Sequence, residues 1–121
     1  MENKVYDIKK RTYMYALDVI KFLEILPREY ISQTLGKQLL RSATSVGANV
    51  VEAQASSSKK DFVNFYRYSL KSANESKFWL GLLRDSNRAS MEKINPILSE
   101  TNELSNILAS SILTMKGRKK F

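Results

Sequence analysis

Apolar residues recur every three or four positions along almost the whole chain, the spacing of one face of a helix. Val5, Ile8, Thr12, Tyr15, Val19, Phe22 and Leu26 make the first such stripe, which predicts a helix over about 4–26. Pro27 ends it, because the ring removes a donor and disfavours the helical state of the residue before it. A second stripe of Leu35, Leu39, Ser42, Val46, Asn49 and Ala53 predicts a helix over 32–55, and Ala55-Ser-Ser-Ser58 breaks the pattern. Ser58 with Asp61 three positions later reads as an N-cap. It opens a third helix over 59–87 whose stripe is Phe62, Phe65, Ser69, Ala73, Ser76, Leu80 and Leu83. The fourth, over 91–116, carries Ile94, Ile97, Thr101, Leu104, Leu108, Ser111 and Met115. It begins at Ser90 or, alternatively, at an Asn95 cap with Pro96 in the first turn. A start at Ser90 puts Pro96 inside the helix, where it introduces a slight bend.

Four amphipathic helices of similar length joined by short connections predict an all-α protein, an antiparallel up-down-up-down four-helix bundle. Its 121 residues suit one domain, 1–121. The stretch Ser42–Val51 is unusual within it, because it is made mostly of small residues around a lone glycine, Gly47. A strand is excluded by the helical pattern on both sides. A phosphate-binding loop needs several glycines and a lysine at the start of the next helix, and Lys59 lies twelve positions on. What remains is a helix thin enough for a neighbour to come close. The third helix offers Phe62, Phe65, Tyr66 and Tyr68 as the expected neighbours.

A turn centred on Ser56–Ser57 sets Asn49 opposite Asn64, Glu52 opposite Lys60 or Asp61, and Arg41 near Ser72 and Glu75. Asn49, Asn64, Arg41, Glu75 and Glu52 are therefore the expected polar network of the second seam, fixing its register as a buried asparagine does in a coiled coil. The alternative, a carboxylate site of Glu52 and Glu75, requires groups that this register separates by several helical turns.

Composition narrows the chemistry. With 43% apolar and 26% charged residues the chain is a globular domain. It has no histidine and no cysteine, which excludes Cys/His catalysis, Ser-His-Asp triads and the usual zinc sites. No cofactor, no metal and no enzymatic activity are expected. No apolar run approaches the roughly 20 residues of a membrane span, and MENKVYDIKKR lacks the apolar core of a secretory signal. The expected location is the cytoplasm, without a membrane partner. Asp7, Asp18 and Glu24 among the cations of the first helix also argue against a membrane surface.

The net charge is +8, of which residues 58–89 carry +4 and residues 90–121 carry +2. Such an excess suits RNA or DNA, whose counterions are released on binding, or an acidic or nucleoprotein partner. The candidate nucleic-acid-binding residues are Lys37, Arg41, Lys60, Arg67, Lys71, Lys116, Arg118, Lys119 and Lys120. Lys60, Arg67 and Lys71 share one helical face. Apolar residues also exceed what one stripe per helix requires: Tyr6, Tyr13, Leu17 and Ile20, then Val63, Tyr66, Leu70 and Trp79, then Leu98 and Ile107. That surplus predicts self-association through the lateral faces of the first and third helices.

The runs QLLRSATSVGANVVEA (Gln38–Ala53) and KKDFVNFYRYSLKSANESKFWLGLL (Lys59–Leu83) resemble the four-helix-bundle proteins encoded in intervening sequences of large-subunit ribosomal RNA genes. Ala53 stands where that family commonly has glycine after the glutamate. The resemblance implies a ring-shaped homopentamer, and kinship with accessory proteins of diversity-generating retroelements that bind a reverse transcriptase and nucleic acid. It brings no settled molecular function. The expectation is a non-enzymatic, oligomeric accessory factor that binds nucleic acid or nucleoprotein through basic helix surfaces. The alternative is a protein-interaction scaffold.

Overall fold

The computed structural model describes residues 7–118 and contains α1 (Ile8–Glu24), α2 (Tyr30–Ala55), α3 (Lys59–Asp85) and α4 (Met91–Arg118). Local chemistry sets the ends. Ile25 and Leu26 donate to the carbonyls of Phe22 and Leu23, so α1 tightens and stops short of Leu26, two residues earlier than expected. The Glu29 carboxylate caps α2, accepting from the amides of Ile31 at 3.1 Å and Ser32 at 2.7 Å. The Ser58 hydroxyl caps α3 through the Asp61 amide at 3.1 Å, as the sequence predicts. α3 ends at Asp85, short of Asn87, in a Schellman motif: Arg88 N–H donates to the Leu83 carbonyl and Asn87 N–H to that of Arg84. Asn87 takes the left-handed conformation there, φ 62°, where glycine is the commoner occupant. Of the two starts open for α4, the Ser90 start is adopted. Its hydroxyl accepts from the Lys93 amide, and Pro96 lies inside the helix.

Cross-helix neighbours give the topology. Thr12 of α1 meets Gly47 of α2, while Leu23 and Leu26 meet Gly36. Ser42 pairs with Ser76 and Ser45 with Ser72 between α2 and α3. Asn74 meets Ser105 between α3 and α4, and Arg11 meets Glu100 and Glu103 between α1 and α4. Between α1 and α2 and between α2 and α3 one number rises as the other falls, and the start of α3 shares a groove with the end of α4, so these successive helices are antiparallel and the four form a four-helix bundle. α1 touches α2 and α4, and α3 touches α2 and α4.

The first stripe is buried where it is described, from Ile8 to Leu26, as are Leu39, Val46, Ala53, Leu80, Leu83, Ile94, Leu104 and Leu108. The start of α3 departs from expectation. Val63 and Tyr66, assigned to the outer surplus, are buried, while Phe62 and Phe65 are only partly so. Stepping 3.6 residues back from Ser69 lands between Phe65 and Tyr66, so the period alone does not choose between them. Packing turns Tyr66 inward and stacks Phe62 on it at 4.7 Å.

A polar thread runs through this core. The Tyr15 hydroxyl of α1 lies 2.7 Å from Thr101 Oγ1 of α4, and Ser42 Oγ of α2 lies 2.7 Å from Ser76 Oγ of α3. Burial pushes the tyrosine pKa up, opposed by its hydrogen bond to Thr101, and the two buried pairs tie α1 to α4 and α2 to α3. Among the described residues, every buried side-chain nitrogen and oxygen has a partner.

Candidate nucleic-acid interface

Residues Ser42–Val51 lie in the middle of one continuous helix. The neighbours of their small side chains differ from the expected rings. A Cβ on Gly47 would lie 3.0 Å from Thr12 Oγ1 and 3.3 Å from Thr12 Cβ, so the glycine admits α1 rather than the aromatics of α3. Against α3, the thin face of α2 meets other small residues. Ser69 Oγ donates 2.7 Å to the Val46 carbonyl across the seam, and Ser72 Oγ donates 2.9 Å to Ser45 Oγ. A side chain as short as serine reaches a neighbouring backbone only when the two helices run close together, and small residues on both sides permit that.

This pairing is shifted by two to five residues from the expected register, which changes the polar network. Asn49 Nδ2 donates within its own helix to the Ser45 carbonyl and hydroxyl, both at 2.9 Å, instead of meeting Asn64. The Asn64 side-chain oxygen accepts from Arg67 at 3.2 Å. Arg41 bonds Gln38 at 2.9 Å, and Glu75 accepts from the Trp79 indole at 3.0 Å, so the expected Arg41–Glu75 pair is not made. Glu52 is exposed. The residues that tie the seam together are Ser42, Ser45, Ser69, Ser72 and Ser76. The helical period puts Ser42, Ser69 and Ser76 on inner faces, but it carries no information on their partners.

Two ion-pair clusters stand apart from the seam. Arg11 binds Glu100 through two contacts, at 2.8 and 2.9 Å, and also Glu103, holding α1 to α4. These carboxylates raise its pKa further, led by the hydrogen bond to Glu100. At one end of the bundle Glu29 accepts from Ser32 and from Arg88 Nε at 3.0 Å. Those bonds, Ser32 first, pull its pKa down to about 2. Among the described residues no cluster of three acidic, histidine or cysteine side chains is arranged to hold a metal ion. Nor is any helix long and apolar enough to cross a membrane.

The structure gathers some of the candidate cations and separates others. Lys60 and Arg67 of α3 and Lys116 of α4 line one groove of about 830 Å³, together with Val63, Asn64, Leu113 and Gly117. Lys71 is exposed one turn beyond Arg67. Lys37 and Arg41 are exposed on α2 near the other end, where Ser42 pairs with Ser76. Ser76 is roughly 24 Å along α3 from Lys60, so these two do not join the groove. Arg118 is the last residue of α4, and Lys119 and Lys120 fall outside the described residues. Leu113, 70% exposed, lines the same groove; it lies beside the inner stripe of α4 rather than on it, so the helical period does not mark it.

A second concavity of about 520 Å³ lies between α1 and α2, walled by Tyr13, Ala16, Ala48 and Val51 and floored by Gly47, with Lys9 and Lys10 at its rim. Of the lateral surplus, Tyr13 is 65% exposed, and Leu17, Leu70, Trp79, Leu98 and Ile107 are half-buried. Val63 and Tyr66 leave that surplus for the core.

No curated protein matches the chain. A solved structure does: a protein of unknown function from the S23 ribosomal protein family of Bacteroides thetaiotaomicron. It is 32% identical, has a TM-score of 0.82, and the match covers 90% of this chain and 97% of that one. Residues 4–110 match the family of 23S rRNA-intervening sequence proteins, a span reaching from the start of α1 far into α4. By sequence across four helices and by close structural likeness, the chain belongs to the 23S rRNA-intervening sequence protein family.

Proposed function

We propose that the protein is a non-catalytic accessory factor that binds nucleic acid, free or within a nucleoprotein, through the groove between the start of α3 and the end of α4. The observation that carries this reading is the meeting of Lys60, Arg67 and Lys116, from two helices, around one concavity. A chain of +8 has cations to spare, but cations spread over a convex surface make only diffuse contacts. Cations around a groove hold a polyanion in a defined path. In a cytoplasmic homo-oligomer, a homopentamer by family resemblance, the groove repeats once per subunit, and weak phosphate contacts gain from multivalency.

Titration of labelled RNA at rising salt tests the proposal. Log affinity falls linearly with log salt, with a slope of about −0.7 per neutralised phosphate for single strands or about −0.9 for duplex. Replacing Lys60, Arg67 and Lys116 by glutamine together makes that slope shallower by about two units, three contacts at about 0.7 each. Absence of binding at low salt rejects the reading. A scaffold that binds only protein is the second reading, favoured by the apolar concavity between α1 and α2. It predicts partners retained from a nuclease-treated lysate, and the light-scattering mass reports self-association in the same preparation.

A further inference from the structure

The groove between α3 and α4 differs from a plain phosphate-binding surface in one respect. Its three cations share it with two apolar side chains, the buried Val63 and the exposed Leu113, and with Asn64. A duplex turns phosphates and sugars outward and keeps its base faces stacked inside, so it offers Leu113 nothing to cover it. An unpaired strand carries phosphates on one side and free base faces on the other. The volume of about 830 Å³ lies within the roughly 300–1,000 Å³ typical of clefts that bury small organic groups, and is apolar enough to take a base.

Resting on the nucleic-acid reading above, we infer that the groove takes single-stranded rather than duplex nucleic acid. The phosphates lie along Lys60, Arg67 and Lys116, and one base covers Leu113. Arg67 is already steered: its Nη1 donates to Asn64 Oδ1 at 3.2 Å, which keeps the guanidinium beside the groove. Asn64 also lines the groove, and with its Oδ1 taken by Arg67 its amide Nδ2 is the atom that can donate to a base edge. Because base faces are chemically alike, the groove discriminates strandedness more than sequence.

The experiment uses the full-length protein with a short labelled oligouridine and a duplex RNA of equal length, at low salt. The oligouridine binds about tenfold tighter than the duplex, the scale of covering one leucine side chain. Leu113→Ser lowers oligouridine affinity by about fivefold to tenfold and leaves duplex affinity unchanged. Because Leu113 is 70% exposed, this variant keeps the fold, and an unchanged thermal midpoint verifies that. Lys116→Gln weakens both nucleic acids. Equal affinity for both, or equal losses with Leu113→Ser, overturns the single-strand inference while leaving nucleic-acid binding in place. Binding of neither overturns both. A polyglutamate peptide that competes as well as the oligouridine shows a groove selecting charge alone, and also overturns the inference.

Discussion

Replacing Ser69 by alanine and by leucine tests the close seam between α2 and α3. Ser69 is fully buried, and its hydroxyl reaches the Val46 carbonyl at 2.7 Å. Alanine removes one hydrogen bond and leaves no orphan, because that carbonyl lies inside α2 and keeps its helical partner. The cost is about 1 kcal/mol. Leucine is the more apolar choice, and in a loosely packed apolar seam it would stabilise. Here it adds two heavy atoms and a branch where backbone and side chain are already in contact, so overpacking costs about 3 kcal/mol or more. In thermal melts at fixed protein concentration, which removes the effect of assembly on the midpoint, a chain of this size loses about 4 °C per kcal/mol. Alanine therefore lowers the midpoint by about 4 °C and leucine by about 12 °C. Leucine as stable as the parent, or less damaging than alanine, refutes a seam of small residues.

Other consequences are as direct. The folded Glu29 pKa of about 2 lies below its ordinary 4.5, so its contribution is complete above 4.5 and is lost as pH falls through about 2. The melting difference between the parent and Glu29→Gln therefore shrinks steadily over that window, and a gap independent of pH refutes the assignment. Gly47→Ala gains about 1 kcal/mol of helix propensity but meets Thr12, so it destabilises the parent. In a Thr12→Ala background the contact with Oγ1 is gone while that with Cβ at 3.3 Å stays, so the same change is more favourable than in the parent by up to about 1 kcal/mol. A double-mutant cycle with no coupling shows that Thr12 is not what the glycine accommodates.

Much of the fold is legible in the chain because its causes are local. The step of three and four from Ile8 to Leu26 identifies α1 and its buried face without reference to any other helix. Pro27, Ser58 and Ser90 punctuate the helices through their own backbone chemistry, and the absence of histidine and cysteine removes whole classes of reaction. The ends show where this reading weakens: Asn87 stops α3 by a left-handed turn that an asparagine permits but does not announce.

Only tertiary structure decides what meets what. Periodicity fixes which side of α2 is thin, but not whether Thr12 or a ring of α3 fills the space beside Gly47. The helix register is settled by the interlocking of small residues across a seam, and a shift of about one turn replaces the Asn49–Asn64 and Arg41–Glu75 pairs with a ladder of serines. The same holds for the candidate interface. Lys60 and Lys116 lie fifty-six positions apart in sequence, and the antiparallel docking of α3 on α4 brings both to one groove. A local pattern specifies a surface, whereas its neighbour is chosen by the packing of the whole chain.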